Sequence, residues 1–322
     1  MINHILVPLD SSTLAECVLP HVMAIAPAMN ARVTLLHVLE NPRNGNGAPA
    51  VDPVDWHLRK HKSERYLEQI AERLQNSGLN AEYSILEGNP AQGIIEFARN
   101  NGVDLIALST HGNSGLSGWN VSSVVQKILL RSYKSTLLIR AYLPTVAASS
   151  KVRYKRLFVG LDGSTRSEYV LPVAMRLAQA YKSELQLGTV IQKPQIIHRF
   201  PLSEKDSKLI NQIVDMNQKA ASHYLDQLLT QFSLEGLDLK TDIVVGDNPI
   251  ADLHDMVDEI KADMVMLVAH GHSGERRWPY GSVTNSFLAY GNTPLMIMQD
   301  LSESEIPHTY AELAMKEGNK GH

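Results

Sequence analysis

Two stretches of this sequence read almost alike. Ile5-Leu6-Val7-Pro8-Leu9-Asp10-Ser11-Ser12 is answered by Leu157-Phe158-Val159-Gly160-Leu161-Asp162-Gly163-Ser164, with Asp10 and Asp162 152 positions apart. At the same offset Val18-Leu19-Pro20 meets Val170-Leu171-Pro172. Further along the offset becomes 159: Asn89-Pro90 meets Asn248-Pro249, Asp104 meets Asp263, His111-Gly112 meets His270-Gly271, and Trp119 meets Trp278. Identities at two constant offsets mark a duplication, and such internal repetition decides the architecture before any single motif does. The change of offset puts about seven extra residues between the second strand and the third helix of the second half.

Each half alternates strand and helix patterns. In the first, the apolar run His4–Leu9 predicts a strand. Ser11 and Ser12 are helix N-cap types, and periodic apolar residues predict a helix from about Leu14 to Ala26, bent at Pro20. Val33–Leu39 is a second strand, Asn41–Val54 a loop rich in Pro, Gly and Asn, and Trp56–Gln75 a helix closed by Gly78. Ala81–Leu86 is a third strand, and Asn89-Pro90 opens another helix that ends at Gly102. Leu105–Ser109 and Thr136–Arg140 are the last strands, joined through a helix over Ser123–Arg131. Continuous apolar runs such as Met264–Val268 belong to buried parallel strands. With right-handed crossovers the expected fold class is α/β: two tandem, doubly wound, Rossmann-like domains, each with a five-stranded parallel sheet. The domains are expected over 1–146 and 153–300, followed by a polar tail over 301–322 with a short helix at Ala311–Lys316.

Composition bounds the partners. The chain has 322 residues, 30 basic against 34 acidic, for a formal charge of −4. That balance argues against a general nucleic-acid or membrane-surface binder, either of which calls for a basic face. Cys17 is the only cysteine, so no intrachain disulfide can form, and a reducing compartment fits. No basic-then-apolar leader opens the chain and no apolar run reaches membrane-span length, so a cytoplasmic location is expected.

In open α/β sheets the ligand lies beyond the carboxyl ends of the strands, where strand order reverses. After strand one stand Asp10 and Asp162; after strand four stand Ser109-Thr110-His111-Gly112 and Val268-Ala269-His270-Gly271. A polar loop follows, then Ser122-Ser123 or Gly281-Ser282 at a helix start. Glycine lets a backbone approach a phosphate closely, and first-turn N–H groups at the positive end of a helix favour anions. An aspartate across the crevice can accept ribose hydroxyls.

These segments resemble the universal stress protein family, whose ATP-binding members carry G-x2-G-x9-G-[ST] after the fourth strand. The second half reads Val268-x2-Gly271-x9-Gly281-Ser282, and the first reads Ser109-x2-Gly112-x9-Ser122-Ser123. Both depart at the first glycine, and the first half also at the third. The resemblance covers residues 1–142 and 153–300. It implies a fold like that of the adenine nucleotide alpha hydrolases, with strand order 3-2-1-4-5, and ATP, with or without Mg2+, as ligand. Adenine would lie near Asp162 and Val190, or near Asp10 and Val38, with ribose on the same aspartates. Phosphates would contact Gly271, His272, Gly281, Ser282 and Val283, or Gly112, Asn113, Ser122, Ser123 and Val124. It further implies an intrachain pseudo-dimer through the last strands, Leu137–Arg140 and Leu295–Met298, and leaves association of two chains open. The second half, with its fuller motif, is expected to bind more tightly. If Gly281 needs φ > 0, Ser122 in its place costs of the order of 1 kcal/mol.

Plainer roles stand beside these. Asp10 and Asp162 are also natural N-caps, and His111 and His270 are natural partners of a neighbouring backbone group. Trp119 and Trp278 suit packing, Arg276-Arg277 a solvated surface, and His270-x-His272 lacks a third metal ligand. No G-x4-G-K-[ST], no G-x-G-x-x-G after strand one and no G-x-S-x-G occur. The Gly-rich S-G-G-x-D-S loop of related hydrolases and ligases is missing after strand one. No general base and activated nucleophile converge, so the expectation is a non-catalytic, nucleotide-binding stress-response regulator. The alternatives are a nucleotide-free interaction scaffold with degenerate sites and a slow adenine-nucleotide hydrolase.

Overall fold

A computed structural model describes residues 1–40, 52–113, 115, 121–142, 152–194, 204–232, 236–272, 279–301 and 305. Trp119, Trp278, Arg276, Arg277, most of the Asn41–Val54 loop and the Ala311–Lys316 helix lie outside them.

In the first half the strands are β1 (His4–Pro8), β2 (Arg32–Leu39), β3 (Ala81–Glu87), β4 (Leu105–Ser109) and β5 (Ser135–Ile139). The helices between them are α1 (Leu19–Met29), α2 (Pro53–Asn76), α3 (Pro90–Asn100) and α4 (Ser123–Ser132). The second half repeats the order with β6 (Arg156–Gly160), α5 (Leu171–Tyr181), β7 (Glu184–Gln192), α6 (Glu204–Phe232), β8 (Asp238–Gly246), α7 (Pro249–Glu259), β9 (Met264–Val268), α8 (Ser282–Tyr290) and β10 (Leu295–Met298). Much of the longer offset is absorbed by α6, which has 29 residues where α2 has 24.

Among the described residues the strands form one sheet in the order β3-β2-β1-β4-β5-β10-β9-β6-β7-β8. Each half is parallel throughout and has the order 3-2-1-4-5. The halves join where β5 and β10 run antiparallel, with Leu295 opposite Leu138 and Ile297 opposite Thr136. Alternation along each strand feeds two cores, one on each face. Ile5, Val7, Leu105 and Ala107 pack with α1 and α2, whereas Leu6, Ile106 and Leu108 pack with α3 and α4. Both cores run through the join, since Leu137 and Met296 belong to one and Leu138 and Leu295 to the other.

Pro20 does not bend a helix. The segment after β1 is a 3₁₀ turn, Ala15–Val18, and α1 begins only at Leu19, so Pro20 falls in the first turn. There a missing N–H costs nothing, because the first four N–H groups have no intrahelical acceptor. Pro172 repeats the arrangement in α5. Asn89 and Asn248 cap α3 and α7 as their sequence type predicts, accepting from Gln92 N–H and from the Ile250 and Ala251 N–H groups.

On one face α1 meets α5. His21 Nδ1 lies 2.8 Å from Tyr154 Oη, and Tyr181 Oη donates to Ala24 O at 2.7 Å. On the other face Arg140, 1% exposed, donates to Phe287 O at 2.7 Å and Leu288 O at 3.1 Å near the end of α8. A cation there complements the negative end of the helix dipole.

Candidate functional site

The loops after β1 and β4 are tied together by the aspartates. Asp10 Oδ1 accepts the Ser12 N–H at 3.1 Å and the Ser12 hydroxyl at 2.6 Å, and Oδ2 accepts the Asn113 N–H at 2.5 Å. Asp162 does the same with Ser164 N–H (3.0 Å), Ser164 hydroxyl (2.6 Å) and His272 N–H (2.5 Å). Ser12 and Ser164 in turn cap the 3₁₀ turns through Ala15 N–H and Ser167 N–H. Each aspartate is therefore a clamp between two loops. The backbone donors of Asn113 and His272, expected to face phosphate, are committed to it. A carboxylate has about four acceptor positions, so roughly one remains on Asp10 for a ligand hydroxyl. Burial pushes the Asp162 carboxyl up, yet the Ser164 hydroxyl and the His272, Ser164 and Ser167 hydrogen bonds outweigh it and hold the group below its usual range.

Glycine at 112 and 271 is required by that clamp. The three heavy atoms nearest a Cβ at Gly112 all belong to Asp10, and its Oδ2 would overlap the new atom outright. A Cβ at Gly271 would likewise overlap Asp162 Oδ2.

The helix starts match each other closely. Ser122 N–H donates to Thr110 O and Gly281 N–H to Ala269 O, both at 2.8 Å. Ser122 has φ −68° and Gly281 φ −71°, so neither position needs glycine. The expected penalty for Ser122 does not arise. Ser122 instead caps α4 by accepting the Val125 N–H, whereas α8 has no side-chain cap. The left-handed position lies instead in the loop after the first strand of each half, at Ser11 (φ 66°) and its counterpart Gly163 (φ 78°). Ser123 and Val124, like Ser282 and Val283, supply first-turn N–H groups free of intrahelical partners.

The two crevices differ in size. The first encloses about 500 Å³ and brings together Asp10, Val38, Gly112, Asn113, Ser122, Ser123 and Val124. His37, Arg59 and Ile94 also line it, three residues that the motif does not contain. The imidazole of His37 is held by Leu9 O at 2.7 Å from Nδ1. The second crevice encloses about 130 Å³ and is lined by Asp162, Gly271, Gly281, Ser282 and Val283. Val190 and His272 are not on its wall, and Val190 packs half-buried against the core. Pockets for small organic ligands usually hold about 300–1,000 Å³; among the described residues the first crevice falls within that range and the second below it.

A buried network borders the second crevice. His270 Nδ1 lies 2.8 Å from Asp300 Oδ1, and Arg166 Nε lies 3.0 Å from Asp300 Oδ2. The repeat offsets put Leu14 and Ala141 at the positions of Arg166 and Asp300 in the first half, which is why one sequence pass along a single motif misses it. Among the described residues no group of three potential metal ligands comes together, and no helix is long and apolar enough to cross a membrane.

Comparison with known proteins agrees with the geometry. Universal stress protein MJ0577 of Methanocaldococcus jannaschii is 26% identical over 155 residues, which cover 44% of this chain and 96% of that protein. Universal stress protein YxiE of Bacillus subtilis is 28% identical over 148 residues, covering 44% of this chain and all of that one. A crystal structure of a universal stress protein from Archaeoglobus fulgidus covers 94% of this chain and 100% of its own, with a TM-score of 0.65 and 19% identity, a likeness of fold. The model of the Universal stress protein family matches residues 1–140 and again 153–299. The chain therefore belongs to the universal stress protein family, as two tandem copies of its domain.

Proposed function

We propose that the protein is a stress-response regulator that binds an adenine nucleotide, ATP with or without Mg2+, in its first domain and does not turn it over. The observation that carries this reading is the first crevice: about 500 Å³, with Asp10 on one wall and the first turn of α4 on the other. Val38 and Ile94 offer the apolar surface a base needs, Asp10 keeps an acceptor position for ribose, and Ser123 and Val124 offer N–H groups to phosphate. Phosphoryl transfer needs a positioned metal, a cationic clamp and an oriented nucleophile; of these the described residues of the crevice supply Arg59 alone as a cation. The second domain, with about 130 Å³, fits the scaffold reading. Its role would be to cover β5 through the antiparallel β10 contact, as a partner subunit would.

Proline tests the assignment without disturbing the helix. Ser123 and Ser282 are the first residues of α4 and α8, where proline is tolerated and the change deletes the free N–H together with the serine hydroxyl. Loss of one charge-assisted hydrogen bond of ~1.5–3 kcal/mol weakens binding by about 10- to 140-fold. Titration calorimetry with MgATP should show that loss in Ser123→Pro and unchanged affinity in Ser282→Pro. The reverse pattern would move the site to the second domain. Phosphate release at about 1 s⁻¹ or faster that Ser123→Pro abolishes would overturn the non-catalytic reading.

A further inference from the structure

The fold uses only one of the two ring nitrogens of His37. Its Nδ1 lies 2.7 Å from Leu9 O, the carbonyl just before Asp10. A carbonyl only accepts, so Nδ1 carries the proton and, in the neutral ring, Nε2 is left as an acceptor. The residue is 9% exposed and lines the first crevice. Leu9 O is its one hydrogen-bond partner among the described residues. Nε2 is not among the buried atoms that lack a partner, so this nitrogen keeps accessible surface.

The duplication separates what the fold needs at this position from what it does not. At the 152 offset His37 corresponds to Thr189, whose hydroxyl donates to Leu161 O at 3.1 Å, the same bond to the carbonyl before Asp162. A threonine therefore meets the structural demand. It brings no second nitrogen, and Thr189 is not on the wall of the second crevice. The imidazole thus adds an acceptor to the first crevice alone. Asp10 adds another, since Ser12 and Asn113 leave it roughly one acceptor position. Leu9 carries the carbonyl that holds the ring and Asp10 follows it in the chain, so the two acceptors are neighbours. Neighbouring acceptors suit a ligand with two hydroxyl donors on adjacent carbons.

We propose that His37 sets the sugar specificity of the first crevice: Nε2 accepts one hydroxyl of a ribose cis-diol while Asp10 accepts the other, so ribonucleotides bind in preference to their deoxy analogues. The inference rests on the nucleotide reading above and adds to it the sugar and the residue that selects it. A site built to bond a hydroxyl rejects the analogue that lacks it, because the site's own polar group is then left unpaired.

Titration calorimetry of the full chain with MgATP and its 2′-deoxy and 3′-deoxy analogues tests this in wild type, His37→Thr and Ser123→Pro. Threonine keeps the bond to the loop carbonyl, as it does in the duplicate, and removes Nε2. Wild type should bind ATP more tightly than either analogue, by roughly 2- to 12-fold for the hydroxyl that His37 reads. In His37→Thr the preference should vanish for one analogue and persist for the other, which Asp10 still reads. Ser123→Pro should weaken all three nucleotides alike and leave their ratios unchanged. Equal affinity of wild type for ATP and both analogues would overturn the inference, and that measurement needs no variant. Unchanged ratios in His37→Thr, or equal weakening of all three nucleotides, would overturn it as well and leave the nucleotide site standing. No binding of ATP by wild type would overturn both.

Discussion

Alanine at Gly112 puts the aspartate clamp to its sharpest test. The new Cβ would overlap Asp10 Oδ2 and stand 2.9 Å from Asp10 Cγ, so the carboxylate must withdraw by on the order of 1 Å or more. That movement breaks the 2.5 Å hydrogen bond from Asn113 N–H. A hydrogen bond to a charged group contributes ~1.5–3 kcal/mol. Gly112 is not in the left-handed region, so alanine also restricts the unfolded chain and returns ~0.4–1 kcal/mol. The net expectation is a loss of roughly 0.5–2.6 kcal/mol, or roughly 1–10 °C in Tm at 2–4 °C per kcal/mol. In an Asp10→Ala background the clash is gone, and Gly112→Ala should now stabilise by ~0.4–1 kcal/mol. Urea unfolding of the four chains of this cycle reads the change of sign directly. A loss of the same size in both backgrounds would show that Gly112 is needed for some reason other than Asp10, and the clamp argument would fall.

The other structural expectations are simpler. Ser11 is held at φ 66° where the duplicate has Gly163, so Ser11→Gly should raise stability by about 0.5–1 kcal/mol, and a fall in the urea midpoint would refute the strain. The Asp162 carboxyl is held below its usual range. Its stabilisation is therefore complete above the unfolded pKa of ~3.9 and is lost as pH falls through the lower folded value, so the acid limb should be shallower in Asp162→Asn. Burial lowers the His21 pKa to about 4. The unfolded state then binds more protons between ~6.5 and that value, stability should fall over this window, and His21→Gln should flatten the fall. Arg140→Met strips Leu288 O of its donor and Phe287 O of one of its two, the Gly291 N–H remaining, and should cost ~1–3 kcal/mol; a neutral result in thermal unfolding would remove Arg140 as a bridge between the halves.

Much of the fold was legible because duplication doubles every signal. Asn89-Pro90 and Asn248-Pro249 mark the same helix start twice, and both cap as their residue types require. Where one residue type serves two purposes, legibility failed. Pro20 reads as a helix bend from sequence, but its meaning depended on where α1 begins, and only the 3₁₀ turn before it settles that. Gly281 leaves a left-handed position open from sequence, yet its φ is −71° and the left-handed residue is eleven residues into the chain, at Ser11. A glycine can be present for a dihedral or for a close approach, and the sequence does not distinguish the two. Asp10 and Asp162 were identified, but the capacity they spend on Asn113 and His272 becomes visible only with the loops side by side.

The duplicate halves also separate two properties that a motif merges. In the first half Leu6 and Leu36 pack on the α3–α4 face; the second has Phe158 and Gly188 in their places. A Cβ at Gly188 would stand 2.5 Å from Phe158 Cε2 and 2.9 Å from Met256 Cε, so the ring occupies what the missing side chain leaves. Interiors are close-packed, and a gain at one position requires a loss nearby. The trade leaves the topology as it is: strand order and the φ at both helix starts repeat in the two halves. The crevices follow the same rule. Gly271, Gly281 and Ser282 shape the loop backbone, and the second half keeps all three. Room for a ligand is instead set by side chains from β2 and α2, among them Val38 and Arg59, which line only the first crevice, whereas Ile94 has its counterpart Leu253 on the wall of the second. A more complete loop signature therefore coexists with the smaller cavity, and binding should track the walls rather than the glycines.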